Sequence, residues 1–466
     1  FPRLPLMAFI PGVSDQTRDR YLQRPRFLAI AEFGPGSLVY HEGRAYRVDR
    51  AMLGSSGTPD GKLVTFAASI CPACGAGHDE ETREACHVCG HPLAAAHLTR
   101  DLFRVDNVAT RPIERITAND EERRRQGFDL QTTFRMPEDR GRQDVELVDG
   151  EDAPLAILTF ASAATIRRIN RGLRRRRDEA EIGFLIDPRT GRWRGKSAGE
   201  GEDDASPLDQ TQRITPVVED RKNALLLRLP ASFRQVAGDE IDQVMVTLQH
   251  ALVRGIQAAF QLEEGEILAE PTPNRKERNA ILFYEAAEGG AGALGRLVQE
   301  FDQCRAVTRE ALRAMHFTET SIDLALASDA AALEDVDGTK CVAGCYQCLL
   351  SYYNQPDHAE IDRRLPVLRE FLVRLSNASF ATVGTATDLA PTSGLPPFDA
   401  EPLRVGDRLI SMVWRKHRVA ALEADWATDG ALEALADMGF EAVVLPHEGA
   451  ARHATLEALA ARLGAA

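Results

Sequence analysis

The chain has 466 residues, 56 Lys and Arg against 70 Asp and Glu, and a formal net charge of −14. That balance argues against a generally cationic nucleic-acid coat but leaves room for a local basic groove, and the length suffices for two to four domains with sizeable cores. No run of 18 apolar residues occurs, so no membrane-spanning helix is expected and the expected compartment is the cytoplasm.

The chain opens on Phe1 and is read as part of a longer polypeptide. Tyr21–Glu32 leads through a Gly34-Pro35-Gly36 turn into Ser37–Val48, a hairpin reversing at Glu42-Gly43. Residues 62–70 continue the β pattern into Cys71-Pro-Ala-Cys74-Gly75 and Cys86-His-Val-Cys89-Gly90. Each Cys-x2-Cys-Gly is a knuckle: the turn lets two thiolates converge, and glycine takes the backbone geometry just after it. This spacing points to a zinc ribbon with Cys71, Cys74, Cys86 and Cys89 as ligands rather than to disulfides. His78, His87 and His91 are extra imidazoles that four thiolates make unnecessary as ligands.

Thr117 is a candidate cap for a short helix carrying Arg123, Arg124 and Arg125, a solvated face or a phosphate contact. The apolar run 147–162 suggests a strand and the start of a helix. It leads into Arg167, Arg168, Arg171, Arg174, Arg175, Arg176 and Arg177, seven arginines in eleven residues. Such a field can hold a DNA backbone, pair with acids of the same chain, or meet a protein partner. Residues 184–193 read strand, turn, strand, and 195–211 read as a loop. Asn223–Pro230, Glu266–Pro271 and Asn279–Glu285 are strand candidates. Ile241, Val244, Leu248, Leu252, Ile256 and Phe260 recur at helical spacing.

Glu288–Gly292 is a Gly-rich turn opening a helix, able either to cradle a phosphate or to permit close packing. Cys304 lies on that helix. Cys341, Cys345 and Cys348 follow a polar linker and, with Cys304, offer four thiolates for a second metal, although buried free thiols are an alternative. A helix over 345–355 would place the thiolates by its positive end. Asp362–Ser376 has an amphipathic helical pattern on Leu365, Leu368 and Leu372. The tail carries strand candidates at 409–414, 418–422 and 442–445 and a helix at 431–438.

Two stretches carry a family resemblance. Arg26–Val48 resembles a segment found after the motor domains of certain large superfamily-2 helicases. Phe283–Gly292, Cys304 and Gly344–His358, with its Cys-Tyr-Gln-Cys-Leu-Leu-Ser-Tyr-Tyr-Asn-Gln core, resemble the MrfA-type zinc-binding domain of bacterial DNA-repair helicases and of helicase-like proteins in phage-defence systems such as DISARM and Druantia. The resemblance implies a metal site made by Cys304, Cys341, Cys345 and Cys348. It also implies an accessory module for an ATP-driven DNA helicase. The chain itself has no Walker A motif and no Asp-Glu-x-His box, so ATP would act only through a motor in cis or in trans. A fainter likeness links the tail to very-short-patch-repair nucleases, with Asp407, Glu423 and Asp425 as displaced acids.

The expected architecture is α/β with small β modules. It comprises a β-rich zinc-ribbon module over 1–130, an arginine-rich connecting segment over 131–210, an α/β zinc-binding domain over 211–376 and a small α/β domain over 377–466. The expected function is a non-motor helicase region with two structural zincs that guides DNA in repair or phage defence. Two alternatives are a zinc-stabilised scaffold for other defence or repair subunits and a metal-dependent nuclease in the tail.

Overall fold

Alternation along three strands organises the larger part of the molecule. In the Gln212–Arg228 strand, Leu225 and Leu227 join one core and Ala224 and Leu226 join another. In Arg278–Glu285, Ile281 and Phe283 face the first core, and Ala280, Leu282 and Tyr284 the second. In Pro154–Leu173, Leu158 and Phe160 divide in the same way from Ala164 and Ile166. A strand apolar on both faces must be covered on both. Each fully buried Leu, Ile or Phe contributes about 1.5–3 kcal/mol of transfer free energy.

The computed structural model describes residues 4–12, 19–53, 61–79, 83–113, 127–138, 141–150, 153–178, 180–194, 211–287 and 289–381. Beyond these it describes 403–405, 408–410, 412–423, 427, 429–445, 455, 458–459 and 462–463. The chain divides into two compact units, Phe1–Ala381 and Thr382–Ala466.

In the first unit a twelve-stranded sheet is built around Pro154–Leu173 and Gln212–Arg228, which pair antiparallel. Phe128–Arg135 and Arg142–Val148 also pair with the first of these strands, and Arg278–Glu285 with the second. The run expected to turn helical near residue 160 stays extended to Leu173. Its Ala, Ile and Thr side chains find cover on both faces of the sheet, and that burial outweighs the weak helical signal. Residues 131–210, expected as a connector, supply much of this sheet.

One face is covered by the helices Ile241–Phe260, Ala293–Gln299, Phe301–Ala314, Glu319–Ala327 and Pro366–Ser376. The helix read after the Gly-rich turn is two helices that break at Glu300. Phe66–Ile70 and Gly77–His78 extend the same sheet and carry the first cysteine pair, so the ribbon is joined to the sheet.

A separate five-stranded sheet runs Arg20–Arg24, Leu6–Ile10, Asn107–Ile113, Arg44–Met52, Leu38–His41. Its hairpin reverses at Glu42 and Gly43, with φ of 48° and 73°, the positive-φ pair that a tight two-residue turn requires. Leu28–Phe33 falls largely in the helix Arg26–Glu32, whose Ala29 and Ile30 enter this sheet's core.

The second unit holds Met412–Trp414, Val419–Glu423 and Glu441–Leu445. The last two strands are parallel, and the helix Asp429–Asp437 lies between them in sequence. Ala420 and Leu422 face one core and Val419 and Ala421 another. Asp407 and Asp425 lie outside the described residues, as does the side chain of Glu423.

Candidate metal centres and basic surface

The two ribbon knuckles repeat one local design. Gly75 N–H donates to Cys71 O and Gly90 N–H to Cys86 O, both at 2.8 Å. Cys71 N–H donates to Ala76 O and Cys86 N–H to His91 O, both at 2.9 Å. Gly75 and Gly90 hold φ of 79° and 74°, where a side chain would be strained. Cys71 Sγ lies 3.6 Å from Cys89 Sγ, and Cys74 Sγ 3.6 Å from Cys86 Sγ. A tetrahedron of sulfurs at the usual zinc–sulfur bond length has edges of about 3.8 Å, so the four thiols fit that ion. Hydrogen bonding among the thiols, led by the Cys71–Cys74 contact, holds Cys71 low and Cys74 high.

The ribbon is bonded to what lies under it. Asn279 Nδ2 donates to Pro72 O at 2.9 Å, Thr133 Oγ1 to Gly75 O at 2.6 Å, and Arg142 Nη1 to His87 O at 2.7 Å. A Cβ on Gly75 would stand 2.7 Å from Thr272 Cβ, whereas one on Gly90 would meet nothing. His78 and His87 stand with their Nδ1 atoms 3.1 Å apart, and His87 Nε2 lies 3.1 Å from Met136 O. Burial lowers His78 to about 4. Neither belongs to the metal-ligand group, and His91 is exposed.

The second cluster gathers a set that differs from the expected one. Cys341, Cys345 and Cys348 converge with His316, their donor atoms all within 4.8 Å of one another. Cys304 is not in that group. Its thiol is enclosed in the apolar core, and desolvation pushes it up to about 12. His316 follows the helix Phe301–Ala314 in a left-handed conformation, φ 69°. That turn swings its Nε2 to 3.2 Å from Cys345 Sγ. Burial opposes ionisation of Cys345, but hydrogen bonding with His316 and neighbouring donors lowers it to about 7. Cys341 Sγ and Cys348 Sγ are 3.7 Å apart, again close to a tetrahedral edge.

No helix spans 345–355. Cys348 N–H and Leu350 N–H both donate to Cys345 O at 3.0 Å, making a knuckle. A short 3₁₀ segment follows at Tyr352–Asp357, started by Ser351 and Asn354 capping each other's backbone. Two arginines fix the ligand-bearing backbone. Fully buried Arg363 donates to Met315 O at 2.9 Å and Cys341 O at 3.0 Å while pairing with Asp335. Arg254 Nε donates to Cys348 O at 2.9 Å. Such partners orient ligands for a metal.

The Gly-rich turn holds an internal anion. Glu285 is buried and accepts from Gly292 N–H at 3.3 Å, Leu294 N–H at 3.2 Å and Asn223 Nδ2 at 2.8 Å. A Cβ on Gly290 would overlap its carboxylate at 1.5 Å. Of the two readings of this turn, close packing is the one seen: the Glu285 side chain fills it.

The arginine segment divides. Arg167 is buried opposite Glu219 in the strand register, with Nε 2.7 Å from Glu219 Oε1 and Nη1 2.6 Å from Asp79. Desolvation opposes the Glu219 charge, but Arg104 and Arg167 outweigh it and lower its pKa to about 2. Arg168 pairs with Glu270 and donates to Phe27 O at 3.2 Å. Arg176 pairs with Asp129 at 3.0 Å. Arg167 and Arg168 therefore neutralise acids inside the fold and are withdrawn from any DNA-facing surface. Arg174, Arg175 and Arg177 are exposed, and Arg171 lines an open cavity of about 610 Å³ with Arg100 and Arg213. Arg123, Arg124 and Arg125 lie outside the described residues.

His316 was hidden because a fourth cysteine looked chemically sufficient. The available signal was an imidazole just past a helix end, 25 residues before the thiol triplet.

Residues 248–349, which contain His316, Cys341, Cys345 and Cys348, match the family model of the MrfA Zn-binding domain. That stretch of the chain is thus similar to the MrfA Zn-binding domain. Comparison with curated proteins gave no match. Among solved structures, the DUF1998 helicase MrfA bound to DNA aligns at TM-score 0.37 and 10% identity, covering 81% of this chain and 34% of that one. Its complex with DNA and AMPPNP aligns at TM-score 0.28 and 11% identity, covering 79% and 31%. MrfA alone aligns at 0.27 and 9%, covering 74% and 32%. The chain spans about a third of the length of those helicase chains. The family match, and not these alignments, ties the metal cluster to a class. No helix among the described residues is long and apolar enough to cross a membrane.

Proposed function

We propose that this chain is the non-motor part of a DNA-handling machine. In this reading it holds two structural zinc ions and guides DNA beside an ATP-driven superfamily-2 helicase motor, in cis or in trans. The observation that carries the reading is the match of residues 248–349 to the MrfA Zn-binding domain around the His316, Cys341, Cys345 and Cys348 cluster. A closed set of four ligands leaves no open position for catalysis, so each ion acts as a staple whose binding energy is folding energy.

The DNA backbone would lie along Arg171, Arg174, Arg175 and Arg177, the part of the segment left at the surface. Anisotropy titrations of labelled forked DNA across a salt series test this. Reversing Arg174, Arg175 and Arg177 to Glu should weaken binding and flatten the log–log salt slope by about 0.9 for each phosphate no longer neutralised. An unchanged affinity and slope would remove these residues from the path. Absence of DNA binding by the unaltered chain, with co-purification of other subunits, would favour the scaffold instead.

A further inference from the structure

The stretch immediately after the second metal cluster exposes aromatic rings on a rigid support. Tyr352 and Tyr353 are each 77% exposed and Tyr346 65%, whereas Leu349, between the two groups in sequence, is 1% exposed. Large apolar side chains clustered at a surface mark a contact site more often than a monomer's ordinary exterior.

The backbone that presents them is held from several sides. Ser351 N–H donates to Asn354 Oδ1 at 2.7 Å, and Asn354 Nδ2 donates to Leu349 O at 2.8 Å. His358 Nε2 lies 2.9 Å from Asn354 Oδ1 and 3.0 Å from Ser351 O. Buried Asp357 accepts from Arg278 at 2.9 Å and lies 3.1 Å from His250 Nε2, tying the turn to the sheet and to the helix Ile241–Phe260. Three residues before Ser351 comes Cys348, a ligand of the cluster. Tyr346 stands edge-on to His358, with ring centroids 5.6 Å apart, and Tyr352 edge-on to Tyr353 at 5.9 Å. Every polar anchor of the turn points inward while the tyrosines point out. The ordering cost of the turn is met on folding, not on binding.

We propose that Tyr346, Tyr352 and Tyr353 form a platform on which the unpaired bases of a nucleic-acid strand stack. The proposal rests on the DNA-handling function above and adds which part of the nucleic acid this surface takes. Aromatic faces beside a cation are the combination single strands use, rings for the bases and charge for the backbone. Here half-exposed Arg275, which reaches Asp357 Oδ1 at 3.4 Å, is the cation at the Asp357 end of the turn. The metal cluster then serves as the foundation of a base-contacting surface.

The test uses the 466-residue chain and two fluorescein-labelled probes of equal length, oligothymidylate and an abasic oligonucleotide with the same phosphates. The unaltered chain should bind the thymidylate probe at least about fivefold more tightly, the smaller end of one base's stacking contribution. The paired Tyr352→Ala and Tyr353→Ala variant should lose that preference and keep its affinity for the abasic probe, and Tyr352→Phe with Tyr353→Phe should retain it. Both tyrosines are mostly exposed, so neither exchange is expected to disturb folding. Equal binding of the two probes by the unaltered chain would overturn the platform while leaving DNA handling intact. So would an alanine variant that keeps the preference, the result expected if these rings serve a protein partner. Binding of neither probe would overturn both.

Discussion

The two metal clusters pack against opposite cores of one sheet and are stabilised differently. Three of the four ribbon thiols are buried, and their core includes Ala224, Leu226, Ala280, Leu282 and Tyr284. In the second cluster only Cys348 is buried, while His316, Cys341 and Cys345 are partly open. The ribbon repeats one knuckle twice within about 20 residues. The second cluster gathers a helix end and a knuckle 25 or more residues apart and fixes both through the carbonyls held by Arg363. Local repetition makes the first easy to read from sequence. The second depends on tertiary structure, and it stands beside the exposed tyrosines.

Substitutions should separate the two. Cys74→Ser removes a fully buried ribbon ligand and should cost on the order of 4–5 kcal/mol or more, with loss of about one metal equivalent. Chemical denaturation with metal analysis would show it, and a near-neutral result would break the picture of a ribbon integral to the sheet.

Asp357→Asn comes next, at about 3 kcal/mol near neutral pH, because it leaves buried Arg278 with only the more distant Glu360, at 3.8 Å, as a charge partner. Desolvation opposes the Asp357 charge, but the His250 hydrogen bond and Arg275 and Arg278 outweigh it, lowering its pKa from 3.8 to about 2. The folded pKa is depressed, so its stabilisation is present above pH 3.8 and lost as pH falls through about 2. The stability gap between variant and parent should therefore narrow below about pH 4, and a gap constant from about pH 7 to pH 2 would exclude this linkage.

A smaller and sharper comparison uses the two knuckle glycines. Gly90→Ala should cost about 1–2 kcal/mol, for positive φ alone. Gly75→Ala should cost more, on the order of 3 kcal/mol, because its Cβ would also press on Thr272. Equal costs would mean that the ribbon does not bear on Thr272, in the strand Ile267–Pro273.

Much of this was legible beforehand. Both groups of thiols, the Ile241–Phe260 helix and the strands near 223–230, 266–271 and 279–285 follow from spacing and periodicity. What escaped has physical causes. Leu147–Ser162 looked partly helical because alanines dilute a strand signal that only two-sided burial resolves. Arg167 and Arg168 looked like surface charge, since a sequence does not display the acids, Glu219 and Glu270, that the sheet brings to them. The Gly-rich turn could be read as a phosphate cradle or as a place of close packing, and nothing local reveals that Glu285 folds back into it. Cys304 looked like a ligand by residue type, yet it sits in the first turn of the helix Phe301–Ala314, in the apolar core, whereas His316 follows that helix's other end.

The central claim is that His316, not Cys304, completes the second metal site, and metal content per chain tests it directly. Purified under reducing conditions, the parent and Cys304→Ala should each hold close to two zinc equivalents, and His316→Ala close to one. Retention of two by His316→Ala with loss of one by Cys304→Ala would contradict the account.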